Sequence, residues 1–180
     1  MESSSGSYQL LTTLLANKPD EQMIAFALSW LENNSSDPQA QQVFKPLSKE
    51  RGLTPEIDKL ARDWFDLHRD ENAAADFLHT FILEDRKGGH WRKRGLEFVK
   101  TSQCNNRDVV LSALLEAEGC SPELIELAYE YELEQSQSKR RPRVFAILKK
   151  HLRKQPDVRD EYLKNIDSAE LRDFVLRAYG

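Results

Sequence analysis

Residues of one class return along this chain at steps of 34, 34 and 33, at Met23, Ile57, Trp91 and Leu124. Counting three, four and seven positions on from each gives Phe26, Ala27 and Trp30; Leu60, Ala61 and Trp64; Arg94, Gly95 and Phe98; and Leu127, Ala128 and Tyr131. Those offsets fall on one face of an α-helix. The pattern is therefore a helix face reading large–x–x–large–small–x–x–aromatic, broken only at Arg94. A small residue at the fourth offset lets a neighbouring helix come close. That accounts for Gly95 inside a helix, where glycine costs about 1 kcal/mol against alanine. The rows predict that Ala61 and Ala128 are buried, and that Trp30, Trp64, Phe98 and Tyr131 share a mostly buried row.

A second set of rows has the same period. Val43, Phe77, Leu111 and Val144 form one, and Leu47, Phe81, Leu115 and Leu148 form the other. Polar stretches from Asn33 to Asp37, His68 to Asn72, Gln103 to Arg107 and Gln135 to Arg141 separate the two sets. Each period thus reads as helix, turn, helix. The ends are atypical. Tyr8 to Leu15 reads as the second helix of a truncated preceding unit, and 157–166 with 168–179 as a shorter last hairpin. Terminal units of an array lose one neighbour and are expected to differ.

Local signals place the boundaries. Thr54-Pro55-Glu56 and Ser121-Pro122-Glu123 each give a hydroxyl N-cap, a proline with no N–H to lose and an acid facing the positive end of the helix dipole. Asp37-Pro38 has the same form, and Pro19, Pro142 and Pro156 are read as further helix openings. All 7 prolines and 6 of the 7 glycines are expected at boundaries, Gly95 being the exception. No run alternates with period two, so no strand is expected. The expected fold is all-α: a right-handed α-solenoid of about five helix–turn–helix repeats of 33–34 residues, with ten or eleven helices in all. Residues 1–7 are read as a disordered N-terminal tail and 8–180 as a single helical-repeat domain.

The first-helix pattern resembles the tetratricopeptide repeat, whose 34-residue units open W-x2-L-G-x2-Y. Trp91-x2-Arg94-Gly95-x2-Phe98 is the nearest copy, and Ala73 with Phe77 matches the family's second helix. Arg107 and Arg140 stand where that family has a small residue, and its late proline is missing. The chain is also similar to the degenerate HEAT-like helical repeats of bacterial STAND-type NTPases, through Ser29-Trp30-Leu31-Glu32 and Asp63-Trp64-Phe65-Asp66. The resemblance covers roughly residues 8–179 and implies an architecture rather than a reaction. In the tetratricopeptide register, a concave face is lined by first helices. Its groove falls at Ile24, Leu28 and Leu31; Arg62, Phe65 and Asp66; Arg92, Leu96, Val99 and Lys100; and Ile125, Tyr129 and Leu133. The Lys and Asn of that family's two-carboxylate clamp are not at those positions.

Chemistry is harder to find. The four histidines, His68, His79, His90 and His151, include no i, i+4 pair and no H-E-x-x-H. Cys104 and Cys120 are too few for a disulfide framework. Arg86-Lys87-Gly88-Gly89-His90 lacks the spacing of a phosphate-binding loop. No catalytic residue, metal site or cofactor is expected, and the chain reads as a non-enzyme. The opening residues do not read as a signal peptide, and no stretch approaches the ~18 apolar residues of a membrane span. A cytoplasmic protein with no membrane contact is expected.

Charge is uneven. Residues 1–85 carry 7 basic and 15 acidic side chains, whereas residues 86–180 carry 19 and 15. The basic runs are Arg86-Lys87 with Arg92-Lys93-Arg94, then Lys139-Arg140-Arg141-x-Arg143, then Lys149-Lys150 with Arg153-Lys154. In a solenoid of hairpins the second run lies on the edge opposite the other two. Two expectations follow. The favoured one is a protein–protein scaffold or adaptor, in which Arg62, Phe65, Arg92, Leu96, Lys100 and Tyr129 hold a peptide or partner protein with an acidic face. The alternative is a nucleic-acid-binding repeat using the C-terminal basic edge.

Overall fold

The computed structural model describes residues 6–85, 89–104, 106–135 and 143–179, with the side chain of Arg143 left aside. Among them are eleven α-helices and no strand: α1 Ser7–Leu15, α2 Glu21–Asn33, α3 Gln41–Arg51, α4 Pro55–His68, α5 Ala73–Glu84, α6 His90–Thr101, α7 Arg107–Glu118, α8 Pro122–Glu134, α9 Arg143–Lys154, α10 Pro156–Asn165 and α11 Ala169–Tyr179. Helix already begins at Ser7, inside the segment read as a tail.

The boundary chemistry acts locally. Thr54 Oγ1 accepts from the N–H of Ile57 at 3.3 Å, and Ser121 Oγ from that of Leu124 at 3.3 Å, each with proline next in line. Gly119 ends α7 at φ +80°, where a side chain would be strained. Three proline readings need correction. Pro19 does not open α2; Asp20 does, its carboxylate accepting from the N–H of Met23 at 2.8 Å. Asp37-Pro38 opens a 3-10 turn, Pro38–Ala40, that leads into α3. Pro46 lies inside α3 rather than at a boundary. It removes one backbone donor there, and the helix continues because Val43, Phe44, Leu47 and Ser48 anchor it in the core. Pro142 lies outside the described residues.

The helices form two layers. Odd-numbered helices lie side by side in chain order, α1 on α3, α3 on α5, and so on to α9 on α11. The α5–α7 contact is the most extensive in the molecule. Small, fully buried Ala74, Ala75, Ser112 and Ala113 lie on these two helices. Helices α2, α4, α6 and α8 form the other layer, each resting on the odd helices before and after it.

The rows are the core. Ala27, Ala61, Gly95 and Ala128 are all buried. Val43, Phe77, Leu111 and Val144 are at most 2% exposed, and Leu47, Phe81, Leu115 and Leu148 are completely enclosed. A Cβ on Gly95 would stand 2.5 Å from Ile82 Cδ1 and 3.4 Å from Val110 Cγ1, which is the close approach that glycine permits. Trp64 and Phe98 are buried; Trp30 and Tyr131, at the same row position, are half-buried. At the centre, Phe44, Trp64, Phe65, Phe77, Phe81 and Trp91 form one aromatic cluster with ring centroids 4.4 to 6.3 Å apart.

Polar atoms in this core reach back to the preceding pair of helices. Trp64 Nε1 donates to the Asp37 carbonyl at 3.1 Å, and Trp91 Nε1 to Asp58 Oδ1 at 2.8 Å. His68 sits between the Ser35 carbonyl at 2.9 Å and Glu71 Oε1 at 2.8 Å. Indole and imidazole are buried when such partners exist, so these contacts stitch successive pairs together.

Candidate interaction surface

The six residues expected to line one groove are dispersed. Phe65 is 6% exposed and is a core residue, not a groove residue. Its ring lies 6.1 Å from Trp91 and 6.3 Å from Phe77, and the Arg94 guanidinium covers it at 5.5 Å. Arg94 also pairs with Asp66 across the α4–α6 contact. The residue that breaks the first-helix pattern therefore lies over part of Phe65, and the hollow of about 450 Å³ left between α4 and α6 is lined by Phe65, Asp66, Arg69, Arg94, Glu97 and Phe98. Leu31 and Val99, in the same row as Phe65, are likewise buried, as are Ile24 and Ile125. The buried stripe of these helices is simply wider than the family register implies.

The flanking cations are occupied. Arg62 pairs with Asp58 Oδ2 at 3.1 Å and lies half-buried. Arg92 donates from Nη2 to the Asp85 carbonyl at 3.2 Å. Lys100 is exposed and pairs with Glu123 on α8. Leu96 is half-buried, packed against the core. No continuous apolar stripe flanked by free cations runs along the even helices, and the pull on an acidic partner weakens accordingly.

Tyr129 is different. Its ring meets Phe174 of α11 at 5.3 Å, because α11, besides packing on α9, also rests on α8. Between these two helices opens a hollow of about 590 Å³ lined by Tyr129, Leu133, Glu170, Asp173, Leu176 and Arg177. Leu133 is 55% exposed and Leu176 48%. Glu170 is held below the usual carboxylate range, first by its own backbone N–H and then by the Ser168 hydroxyl, so it stays ionised. Ser168 Oγ also accepts the N–H of Leu171 at 3.2 Å and caps α11. The cleft is thus an apolar floor with two acids and one arginine at its rim. The sequence carried a signal for it. Leu176 stands off the stripe of Leu171, Phe174, Val175 and Ala178 that buries α11.

A second hollow, about 500 Å³, faces outward from the odd layer. It is lined by polar Gln41, Gln42 and Thr80, by Lys45 and Asp76, and by apolar Pro46, Phe77 and Phe81 among others, so its character is mixed and nearly neutral. Of the basic runs, Arg86-Lys87 and Lys139-Arg140-Arg141 lie outside the described residues. Lys150, Arg153 and Lys154 are exposed at the end of α9. His151 there is pushed below its ordinary pKa, first by burial and then by Lys150 and Lys154.

Cys104 is half-buried, its Sγ 3.5 Å from the Asp70 carbonyl. Burial pushes the Cys120 thiol up to about 12. Among the described residues no three His, Cys, Asp or Glu side chains group as a metal site would require. No described helix is long and apolar enough to cross a membrane. Comparison with protein-family models, with curated proteins and with solved structures returned no match.

Proposed function

We propose that this chain is a non-catalytic interaction module, a right-handed α-solenoid of about five helix–turn–helix repeats that holds a partner helix or peptide in the cleft between α8 and α11. The architecture is supported by the shared period of the buried rows and by the unbroken side-by-side packing of the odd helices. Neighbouring even helices approach one another less closely than neighbouring odd ones.

One observation carries the functional reading: Leu133 and Leu176 stand exposed beside Tyr129 in a hollow rimmed by Glu170 and Asp173. Large apolar side chains converging in a concave, rimmed site are what a partner's anchor residue fills. The acids favour a basic flank on that partner, the reverse of the charge expected from the even-helix register.

The test is capture of partners on the immobilised chain, with Leu133→Asp plus Leu176→Asp as the control. Both side chains are exposed, so the fold is expected to survive. Partners retained by the native chain and lost from the variant at unchanged melting temperature support the cleft. Equal capture by both overturns it. Retained material that vanishes with nuclease and falls steeply with salt would instead favour phosphate contact by Lys150, Arg153 and Lys154.

A further inference from the structure

The rows show what the first pair of helices lacks. Leu10 and Leu14 precede Val43 and Leu47 by 33 residues, so they occupy the second-helix rows. Val43 and Leu47 are fully buried, whereas Leu10 is 63% exposed and Leu14 38%. Phe26 holds the position of Leu60 and Arg94. Leu60 is 9% exposed, and Arg94 reaches back to Asp66 on the preceding even helix, but Phe26 is 59% exposed. All three stand exposed where their equivalents in the interior pairs are covered or paired. The α1–α2 groove is an acceptor for one helix.

Its surroundings say which helix fits. The chain is 31% charged, yet α1 has no charged residue at all. Gln22 and Ser29, the exposed neighbours of Phe26 one turn either side, and the adjacent exposed Ala25 are also uncharged. Loss of charge around exposed aromatic and aliphatic residues marks the core of an interface. A charged partner helix would gain nothing there. The other end of the molecule is a poor complement, since α11, besides packing on α9, also rests on α8 and carries Asp173 and Arg177 beside Leu176. The element that can enter without desolvating a charge is another α1.

We infer that two copies of this chain associate about a two-fold axis through their α1 helices, each α1 lying on the exposed α1–α2 face of the other. The inference rests on the row equivalence and is independent of the α8–α11 cleft. A nine-residue helix is about 13.5 Å long. Two such short helices with the adjoining faces of α2 make a small interface, so the dimer is expected to be weak and to depend on concentration. The N-terminal halves are acidic, so they repel at long range, and the dimer holds or tightens as salt rises.

Sedimentation equilibrium of the full chain from micromolar to submillimolar concentration tests this. A monomer–dimer equilibrium is expected, with Leu10→Gln plus Phe26→Gln weakening it at least tenfold and leaving the melting temperature of the dilute protein in place. If that variant fails to fold, Ser29→Lys puts like charges at the contact from a fully exposed position and is expected to do the same. A native chain that stays monomeric throughout overturns the inference, whether or not the groove takes a helix from some other protein. So does a dimer that both variants leave intact, or one that dissolves as salt is raised.

Discussion

Trp64 and Trp30 stand 34 residues apart at the same place in consecutive helical pairs, yet Trp64 is fully buried and Trp30 only half. Leu60 and Phe26 differ in the same direction, and more strongly. The middle of the molecule, from α3 to α7, encloses an aromatic cluster that helices cover on both sides. Among the described residues, six of the seven large apolar ones left exposed belong to α1, α2, α8 and α11; Leu67 on α4 is the exception. Burial at a row position is thus a property of the neighbours as much as of the residue. An interior pair is stabilised from two sides, an end pair from one.

The sharpest way to break that comparison is to remove the two tryptophans in turn. Trp64→Ala deletes a stacked, hydrogen-bonded core side chain and should cost about 3–5 kcal/mol. Trp30→Ala should cost markedly less in the same urea titration. Equal losses would show that the ends are as tightly built as the middle. The Gly95 contact comes next. Gly95→Leu should cost roughly 1–3 kcal/mol or more by overpacking against Ile82 and Val110. Gly95→Ala should come out near neutral, because Ile82 Cδ1 is the end of a flexible side chain and alanine returns about 1 kcal/mol of helix propensity. Adding Ile82→Val to Gly95→Ala removes the clashing methyl, so that the pair should be more stable than the two single changes sum to.

Two smaller effects sharpen the picture of the turns. With its thiol at about 12, Cys120 is ionised to only about one part in 10,000 at pH 8. A thiol reagent should therefore modify Cys104 in the native protein and Cys120 only on unfolding. Native labelling of both at one rate would mean that the α7–α8 turn opens readily. The smallest effect concerns His151. Its folded-state pKa lies below the ordinary 6.5, so the fold binds fewer protons than the unfolded chain. Stability should hold above pH 6.5 and decline as pH falls below it. Glu116 opposes this and Lys150 and Lys154 reinforce it. Melting curves of His151→Gln between pH 7 and pH 5.5 should show a shallower decline than the native chain.

The sequence was legible where spacing alone decides. Row positions recur because each helix buries the same face against the same kind of neighbour, so Ala27, Ala61, Gly95 and Ala128 could be placed without coordinates. The groove was not legible, because it depends on how wide a stripe each even helix buries. Phe65 lies one position beyond Trp64, about 100° round the helix. Whether that direction meets solvent or another ring depends on Arg94 folding over it. Pro46 misled for a local reason: proline usually stops a helix, but α3 already had its anchors on both sides of it. For the α8–α11 cleft the only signal was Leu176 off the α11 stripe, because the last hairpin is shorter than the period and leaves no row to follow.

The stitching by Trp64, Trp91 and His68 also bears on how the chain finds this structure. Those bonds span 27 to 33 residues, and every extensive helix contact joins helices no more than three apart in chain order. Such a molecule has low contact order, so loop closure is inexpensive at each step and folding should be fast for its size. Among the described residues, no extensive contact joins α1 or α2 to α10 or α11. Amide exchange should consequently form a gradient, slowest in α5 and α7 and fastest in α1 and α11, as the array opens from its ends inward.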